Sequence, residues 1–219
     1  MTVLEASGLG KRFGRAWALR DCSLSVPAGR VVALVGPNGA GKTTLLHLAA
    51  GLTTPTSGQV RVLGGELPGS AAALAGIGFV AQDAPLYKNL PVADMLRVAA
   101  SLNQFFDAAR ARERVERLGI SLRGKVGALS GGQQAQLALT IALAKRPRLL
   151  MLDEPLARLD PLARHDFTAA LMGAVAEEGI SVIFSSHVVA ELERVADYLI
   201  VLNGGQLQIA GGVEDLLVK

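Results

Sequence analysis

The sequence predicts an α/β fold in which a mostly parallel sheet carries helices on both faces, with an N-terminal antiparallel β subdomain and an inserted α-helical lobe. Three observations predict it. Short apolar strand segments alternate with helical segments on either side of residues 83–145. Residues 92–144 instead carry Leu and Ala at three- and four-residue spacings, which is typical of helices. Half of the 219 residues are hydrophobic, enough for a sizeable core.

These observations favour a single domain spanning residues 1–219. The core and the β subdomain occupy residues 1–82 and 146–219, and residues 83–145 form the helical lobe. Strands rich in β-branched and apolar residues, bounded by Gly- and Pro-containing turns, are expected in the first part of the chain. They cover residues 3–9, 17–26, 31–35, 59–63 and 77–81.

Strand and helix segments alternate again after the lobe. The pattern predicts strands at 149–152, 181–185, 198–202 and 206–210, the last two forming a hairpin around Asn203-Gly204-Gly205. It predicts helices at 161–178, at 188–196 and from residue 213 onward. Gly179 suits the C′ position of the first of these helices, and Asp107 suits the N-cap of a helix in the lobe that stops near Gly119.

Charge and composition exclude several classes of protein. The net charge of +3 is spread along the chain, except for four arginines between residues 110 and 117 that alternate with Glu113 and Glu116. This pattern is typical of a solvated helix face, so we expect no direct binding to nucleic acid. The sequence has no apolar run of about 20 residues and no signal-peptide pattern, which predicts a cytoplasmic protein that reaches membranes through a partner. Cys22 is the only cysteine, which excludes an internal disulfide.

The residues 36–43 fit the phosphate-binding pattern G-x-x-x-x-G-K-[ST] between a predicted strand and a predicted helix. Glycines let backbone N–H groups point into one concavity, and the helix N-terminus directs its positive end to the same point. The lysine would contact the outer phosphates, and the Thr43 hydroxyl would bind Mg²⁺. The candidate nucleotide-binding residues are Gly36, Pro37, Asn38, Gly39, Ala40, Gly41, Lys42, Thr43 and Thr44.

Two carboxylates, Asp153 and Glu154, directly follow the apolar segment 149–152. Ligands bind at the carboxyl ends of strands in open α/β sheets, so both acids are expected near the phosphate loop. In a phosphate-loop ATPase the first acid holds Mg²⁺, usually through water, and the second can deprotonate the attacking water. The combination predicts a P-loop NTPase core that hydrolyses a nucleoside triphosphate.

The segment Leu129-Ser130-Gly131-Gly132-Gln133 precedes an apolar helix. Ser130 suits an N-cap, and the following glycines leave the first helical amides free. The pentapeptide alone fits two interpretations, an ordinary capped helix and a second anion site at a helix N-terminus.

Taken together, these segments resemble the motifs of ATP-binding cassette (ABC) ATPases over essentially the whole chain and in the family's order. The resemblance covers the Walker A loop, the Walker B strand with its acids, and the signature motif Leu129–Gln133. Gln82 matches the Q-loop glutamine, Leu159-Asp160 the D-loop, and His187 the switch histidine. Phe13 lies where the family places an aromatic side chain that stacks on adenine, with Trp17 as an alternative.

The resemblance implies a head-to-tail dimer, homo- or heteromeric, that holds two ATP molecules with Mg²⁺. Glu154, His187 and Gln82 would be catalytic, and Thr43, Gln82 and Asp153 would surround the metal. The partner protomer would supply its own signature and D-loop residues, which correspond to Ser130, Gly131, Gly132, Gln133 and Asp160. The resemblance also implies a separate membrane permease, which would dock near the segment that follows Gln82 and hold the protein at the inner face of the cell membrane.

The process that ATP hydrolysis would drive is open to more than one interpretation. The segment 124–128 resembles efflux systems more than importers, so export is expected. The alternative is a soluble ABC-type ATPase that acts on a scaffold or a translation complex. A regulatory module without turnover is disfavoured because Glu154 is present. Two positions depart from the family pattern: Gln136 replaces an arginine that braces the signature helix, and Arg158 replaces a small residue before the D-loop.

Overall fold

A computed structural model describes residues 1–83, 85–187 and 195–217 of the chain. Across these residues, nine strands form two sheets, one of six strands and one of three. The fold has the predicted class: a mostly parallel sheet, an antiparallel β subdomain and a group of helices between β5 and β6.

The six-stranded sheet places the ends of its central strands side by side. Its order is β5 (Ile77–Val80), β6 (Leu149–Leu152), β7 (Ser181–Ser186), β3 (Val31–Val35), β8 (Tyr198–Asn203) and β9 (Gln206–Gly212). The first five strands are parallel, and β9 pairs antiparallel with β8. Every residue of β3, β6 and β7 is buried, because helices or the second sheet cover both faces. The carboxyl ends of β5, β6, β7 and β3 therefore meet at one edge.

The second sheet is antiparallel and consists of β2 (Ala16–Pro27), β1 (Thr2–Phe13) and β4 (Ser57–Val62). β1 extends four residues beyond the predicted segment 3–9. Its polar end continues as a strand because Lys11 and Arg12 pair with Leu19 and Trp17 of β2, after irregularities in the register. Residues 10–13 lack the apolar pattern of a buried strand, and cross-strand pairing with β2 keeps them in the strand conformation.

The helices agree with the sequence pattern except for one short element. They are α1 (Lys42–Ala50), α2 (Ala71–Gly76), α3 (Val92–Leu102), α4 (Ala108–Arg117), a 3₁₀ turn (Val126–Ala128), α5 (Gly131–Ala144), α6 (Pro161–Glu178) and α7 (Val213–Leu217). The sequence pattern did not predict α2, a single six-residue stretch whose start is capped by the Ser70 hydroxyl accepting from the Ala73 N–H. Residues 188–194 of the expected helix at 188–196 lie outside the described residues.

The predicted helix ends have the expected caps. The Asp107 carboxylate accepts from the Arg110 N–H at the start of α4, and Gly179 ends α6 with a φ of 62°. None of the helices in the described part of the chain is long and apolar enough to cross a bilayer.

Buried side chains form three hydrophobic clusters. One lies between the two sheets around α1, and another lies on the opposite face of the large sheet under α5 and α6. A third holds the helices of the lobe together. Helix α5 contributes to two of them, with Leu139 in the core cluster and Leu137 in the lobe cluster. This helix therefore connects the lobe to the sheet.

Phe167 of α6 is the largest fully buried side chain among the residues that the structure describes, and substituting it tests the packing of the second cluster. Its relative exposure is 1%, whereas Leu162 on the same helix is 71% exposed. We predict that Phe167→Ala lowers the free energy of unfolding by about 3–5 kcal/mol, because it removes buried apolar surface and leaves a cavity. Urea denaturation would measure this. Leu162→Ala is the control and should change stability by less than about 0.5 kcal/mol; equal losses for the two variants would contradict this packing.

Candidate nucleotide-binding site

The loop between β3 and α1 is pressed against the backbone of two other strands. A Cβ atom on Gly36 would lie 2.3 Å from the Leu202 carbonyl oxygen, and one on Gly41 would lie 2.5 Å from that of Ala18. Gly41 also has a φ of 101°, which only glycine adopts without strain. These two positions therefore require glycine, and α1 begins immediately after them with its N-terminal amides directed at the loop.

Lys42 lies inside the loop and contacts three oxygen atoms. Its Nζ donates to the carbonyls of Gly36, at 2.7 Å, and Pro37, at 3.2 Å, and lies 3.2 Å from Glu154 Oε1. The side chains of Lys42 and Glu154 are only 4% and 12% exposed. A buried ion pair is stable only when further hydrogen bonds satisfy its members, which the two carbonyls do for Lys42.

Ser185, at the end of β7, organises the two acids that follow β6. Its Oγ donates to Asp153 Oδ1 at 2.7 Å and accepts from the Glu154 N–H at 2.8 Å. The Asp153 N–H donates to the Val80 carbonyl of β5 at 2.9 Å. Asp153 is thus buried and fixed from both neighbouring strands. No sequence motif indicated a role for Ser185, although a polar residue near the end of a buried strand can signal a site at the edge of the sheet.

Glu154 is the point where the loop, the strand ends and His187 meet. Its second oxygen, Oε2, lies 3.1 Å from His187 Nδ1, so one carboxylate serves both Lys42 and His187. Its φ is 44°, an uncommon conformation for a residue with a side chain. Such a conformation costs of order 1–3 kcal/mol and occurs most often at functional sites.

Gln82 follows β5 and is exposed on a cleft of about 200 Å³. Glu154 lines the same cleft, as do Gly131 at the start of α5 and Arg158. The structure therefore brings the candidate Q-loop residue, the candidate base and the signature segment to one cleft.

Arg158, one of the two departures from the family pattern, has a partner in the described chain. Its guanidinium lies 2.8 Å from Asp83 Oδ1, one residue after Gln82. Both side chains are largely exposed, so solvent screens the pair and its contribution to stability is about 0–1 kcal/mol. The long cation is thus accommodated without disturbing the acids.

Ser130 and Gln133 form a capping box at the start of α5. The Ser130 Oγ accepts from the Gln133 N–H, and the Gln133 Oε1 accepts from the Ser130 N–H. Gly132 lies against α6, since a Cβ atom there would be 2.9 Å from Ala163 Cβ. Asp160 caps α6 by accepting from the Ala163 N–H at 2.9 Å. Within the described chain these residues make local hydrogen bonds and do not reach the phosphate loop.

Gln136, the other departure, is buried in α5, and both atoms of its amide lack hydrogen-bond partners among the described residues. Leaving such a group unsatisfied costs about 1–3 kcal/mol. Nearby on the same helix, Thr140 accepts from Arg114 Nε at 3.1 Å. Burial lowers the pKa of the Arg114 guanidinium below its ordinary value, and the neighbouring Arg117 and Arg110 lower it further. Gln136 therefore leaves both polar atoms of a buried amide unsatisfied within the described part of the chain.

Phe13 and Trp17 both lie on the β1–β2 hairpin, which passes the loop at Ala18. Both rings are exposed, and each has a basic side chain over it, Lys11 for Phe13 and Arg12 for Trp17. The choice between them as the adenine-stacking residue stays a prediction.

The residues present fit Mg²⁺ held jointly with a nucleotide. Thr43, Gln82 and Asp153 offer hydroxyl, amide and carboxylate oxygens, the donors that this ion prefers. No group of three or more His, Cys, Asp or Glu residues that could hold a metal occurs in the described ranges.

A glycine-constrained loop before a helix, a buried lysine inside it and two acids at the end of β6, one strand removed from the strand that precedes the loop, define a P-loop nucleoside-triphosphate-binding protein. The family described as ABC transporter matches residues 19–157. The chain therefore belongs to the ABC transporter family, as one of its ATP-binding domains.

Individual relatives agree with this assignment. The chain is 39% identical over 214 residues to the sulfate/thiosulfate import ATP-binding protein CysA 2 of Chromobacterium violaceum, covering 95% of the chain and 58% of the relative. It is 37% identical over 225 residues to the Fe(3+) ions import ATP-binding protein FbpC of Pseudomonas fluorescens, covering 99% of the chain and 63% of the relative. The chain thus spans about three fifths of the length of these curated relatives.

Solved structures have the same fold. An ATP-binding subunit of an ABC transporter superposes with a TM-score of 0.85 at 27% identity, over 98% of this chain and 92% of the other. A nucleotide-free ATP-binding cassette from an ABC transporter gives 0.84 at 27% identity, over 100% and 96%.

Lys42 provides a direct test of the loop. We predict that Lys42→Ala raises the Kd for MgATP at least about tenfold, since a hydrogen bond to a charged group contributes roughly 1.5–3 kcal/mol. Isothermal titration calorimetry would measure the Kd, and circular dichroism would check the fold. Lys125→Ala, which removes an exposed lysine of the lobe, should bind as the unaltered protein does. An unchanged Kd in Lys42→Ala would contradict the assignment of this lysine to the phosphates.

Proposed function

We propose that this protein binds and hydrolyses ATP as the ATPase subunit of an ABC transporter and so powers translocation by a separate membrane permease. One observation carries the proposal. Glu154 lies at the mouth of the phosphate loop with one oxygen on Lys42 and the other on His187. A carboxylate fixed in this place can take a proton from a water molecule that attacks the outermost phosphate.

ATP would bind by replacing the oxygen atoms that now contact the Lys42 ammonium. The Lys42 ammonium would donate to the outer phosphates in place of the Gly36 and Pro37 carbonyls and Glu154. The Glu154 carboxylate would then be free to contact the attacking water. Mg²⁺ held by Thr43, Gln82 and Asp153 would supply positive charge next to the phosphates. His187 would donate to the γ-phosphate once its contact with Glu154 is lost. Placement and electrostatics contribute most of the catalysis in such sites.

The signature and D-loop residues make only local hydrogen bonds within one chain, and we propose that they contact the ATP bound by the neighbouring protomer. Ser130 and Asp160 are exposed helix N-caps, and the amides that follow them are suited to an anion. We assign Ser130, Gly131, Gly132, Gln133 and Asp160 to this role in a head-to-tail dimer. Hydrolysis would remove the phosphate that bridges the two protomers, and the dimer would reopen.

We predict that Glu154→Gln retains MgATP binding but lowers kcat at least about 100-fold, because the amide cannot accept the proton. The variant should also accumulate as a dimer in MgATP, measured by light scattering after size exclusion. Glu113→Gln, which neutralises an exposed glutamate of α4, is the matched control and should hydrolyse ATP at the original rate. Unchanged turnover in Glu154→Gln would refute its role as the base.

An apolar groove supports a permease as the partner. The groove has a volume of about 340 Å³ and lies between the core and the lobe. It begins beside Pro85 and Leu86, just after the Q-loop, and continues along Phe79, Met95 and Ile141. We call it the docking groove. A partner helix bound there would contact the core and the lobe together, and so would respond to movement between them.

The relatives' names favour one direction of transport. Sulfate/thiosulfate and Fe(3+) relatives are both named as import proteins, which does not support the efflux direction expected from segment 124–128. We therefore propose import, with the transported substrate selected by the permease. The protein would lie in the cytoplasm and reach the inner face of the membrane through that permease.

Co-purification from native membranes tests the transporter assignment. A tagged protein, solubilised in mild detergent, should recover an integral membrane protein in stoichiometric amounts, identified by mass spectrometry. Washing the membranes with high salt before solubilisation removes loosely bound proteins and serves as the control. Recovery of no membrane protein, together with ATPase activity stimulated by ribosomes or RNA, would instead support the soluble alternative.

A further inference from the structure

A separate cavity lies at the edge of the large sheet opposite to the phosphate loop. Its volume is about 530 Å³, which is within the usual range of small-molecule sites in proteins. Residues that lead into three parallel strands line it: Gly29 before β3, Arg148 before β6 and Ser181 at the start of β7. The cavity therefore borders the amino ends of strands whose carboxyl ends form the nucleotide site.

Three arginines and one glutamate are the charged side chains among the described residues that line this cavity. Arg110 is already paired, since its Nη2 lies 2.6 Å from Glu178 Oε1 and 3.4 Å from Glu177 Oε2. The other two arginines, Arg146 and Arg148, belong to the short segment between α5 and β6. An anion in the cavity would therefore meet two guanidinium groups that the lining glutamate does not neutralise.

Both of these guanidinium groups are available to a ligand. Arg148 is exposed, and no carboxylate in the described part of the chain pairs with it. Its one hydrogen bond there joins Nη2 to Met1 Sδ at 3.8 Å, and a thioether is a weak acceptor. Arg146 lies 3.2 Å from Asp107 Oδ2, but its side chain is 62% exposed, so solvent weakens this pair. If Arg146 turned to an anion, Asp107 would keep its bond to the Arg110 N–H through Oδ1.

Ser181 adds a buried hydroxyl to the same cavity. Its side chain is 2% exposed, and its Oγ accepts from the Gly29 N–H at 2.8 Å. The hydroxyl hydrogen has no acceptor among the residues that the structure describes, so it can donate to a ligand. Planar guanidinium groups and a hydroxyl donor suit the oxygen atoms of a phosphate group, which arginine binds through two parallel hydrogen bonds.

The rest of the lining constrains the body of such a ligand. Val3, Leu63 and Ile180 supply an apolar wall, and the cavity is larger than a phosphate ion needs. No aromatic ring occurs among the described residues that line it, so the cavity offers nothing on which a nucleobase would stack. The lining therefore favours a phosphate group on a short aliphatic body over a free phosphate ion or a second nucleotide.

We propose that this cavity is a second ligand site, which binds a small organic phosphate. The phosphate group contacts Arg146 and Arg148, and the aliphatic part lies against Val3 and Leu63. The ligand would touch the start of β7, about 13 Å along that strand from Ser185, at about 3.3 Å per residue. Because Ser185 is hydrogen-bonded to both acids after β6, this position suits an effector of ATP hydrolysis.

Isothermal titration calorimetry with two probes tests the site. The full chain is first saturated with Mg²⁺ and a non-hydrolysable ATP analogue, which occupies the phosphate loop, and is then titrated with butyl phosphate or with inorganic phosphate. We expect butyl phosphate to bind with a Kd below about 1 mM and at least about tenfold more tightly than inorganic phosphate. Binding of neither probe, or binding of inorganic phosphate as tight as that of the ester, would overturn the proposal.

Substitutions of Arg148 then locate the bound ester. Arg148→Ala should raise the Kd for butyl phosphate at least about tenfold, and Arg148→Lys should raise it less, because lysine keeps the charge but not the planar pair of donors. Arg123→Ala removes an exposed arginine of the lobe and should leave this Kd unchanged. All three variants should bind the ATP analogue as the unaltered protein does. An unchanged Kd in Arg148→Ala, or an equal loss in Arg123→Ala, would overturn the proposal.

Discussion

The contact between Lys42 and Glu154 joins the loop after β3 to the end of β6, and the rest of the site is arranged around it. Both side chains are almost out of water, so the pair depends on the other groups that contact it. The Gly36 and Pro37 carbonyls accept from the lysine, and His187 shares the carboxylate. A phosphate that takes over the lysine therefore also changes the surroundings of Glu154. In the proposed mechanism, nucleotide binding and preparation of Glu154 as the base would therefore be one event.

The close fit of the loop between neighbouring strands and the strained backbone of Glu154 hold this contact in place. The loop lies directly against β8, since a Cβ atom on Gly36 would be 2.3 Å from the Leu202 carbonyl oxygen. The backbone of the acid is positioned by the hydrogen bond from its N–H to Ser185 Oγ, and its φ is 44°. Helix α5 extends the arrangement: Ser130 caps its start and Lys145 lies at its end, about 22.5 Å apart at 1.5 Å per residue. One rigid helix would therefore connect the partner's ATP to the docking groove.

Sequence patterns predicted most of this fold because the relevant signals are local. The phosphate loop, the acids after β6, and the Asp107 and Ser130 caps each depend on a few consecutive residues and a strand or helix beside them. Contacts between distant segments were not predictable in this way. The hydrogen bond from Ser185 to Asp153 and the ion pair of Arg158 with Asp83 depend on which strands are neighbours in the sheet. The hydrophobic periodicity of one sequence does not specify that order.

A crystal structure with Mg²⁺ and a non-hydrolysable ATP analogue tests the central claim most directly. We predict that Lys42 Nζ lies within about 3.2 Å of the outer phosphate oxygens in that structure. We also predict that the Glu154 carboxylate no longer contacts the lysine and faces the terminal phosphate instead. A bound nucleotide whose phosphates leave Lys42 on the Gly36 carbonyl and on Glu154 would contradict this mechanism.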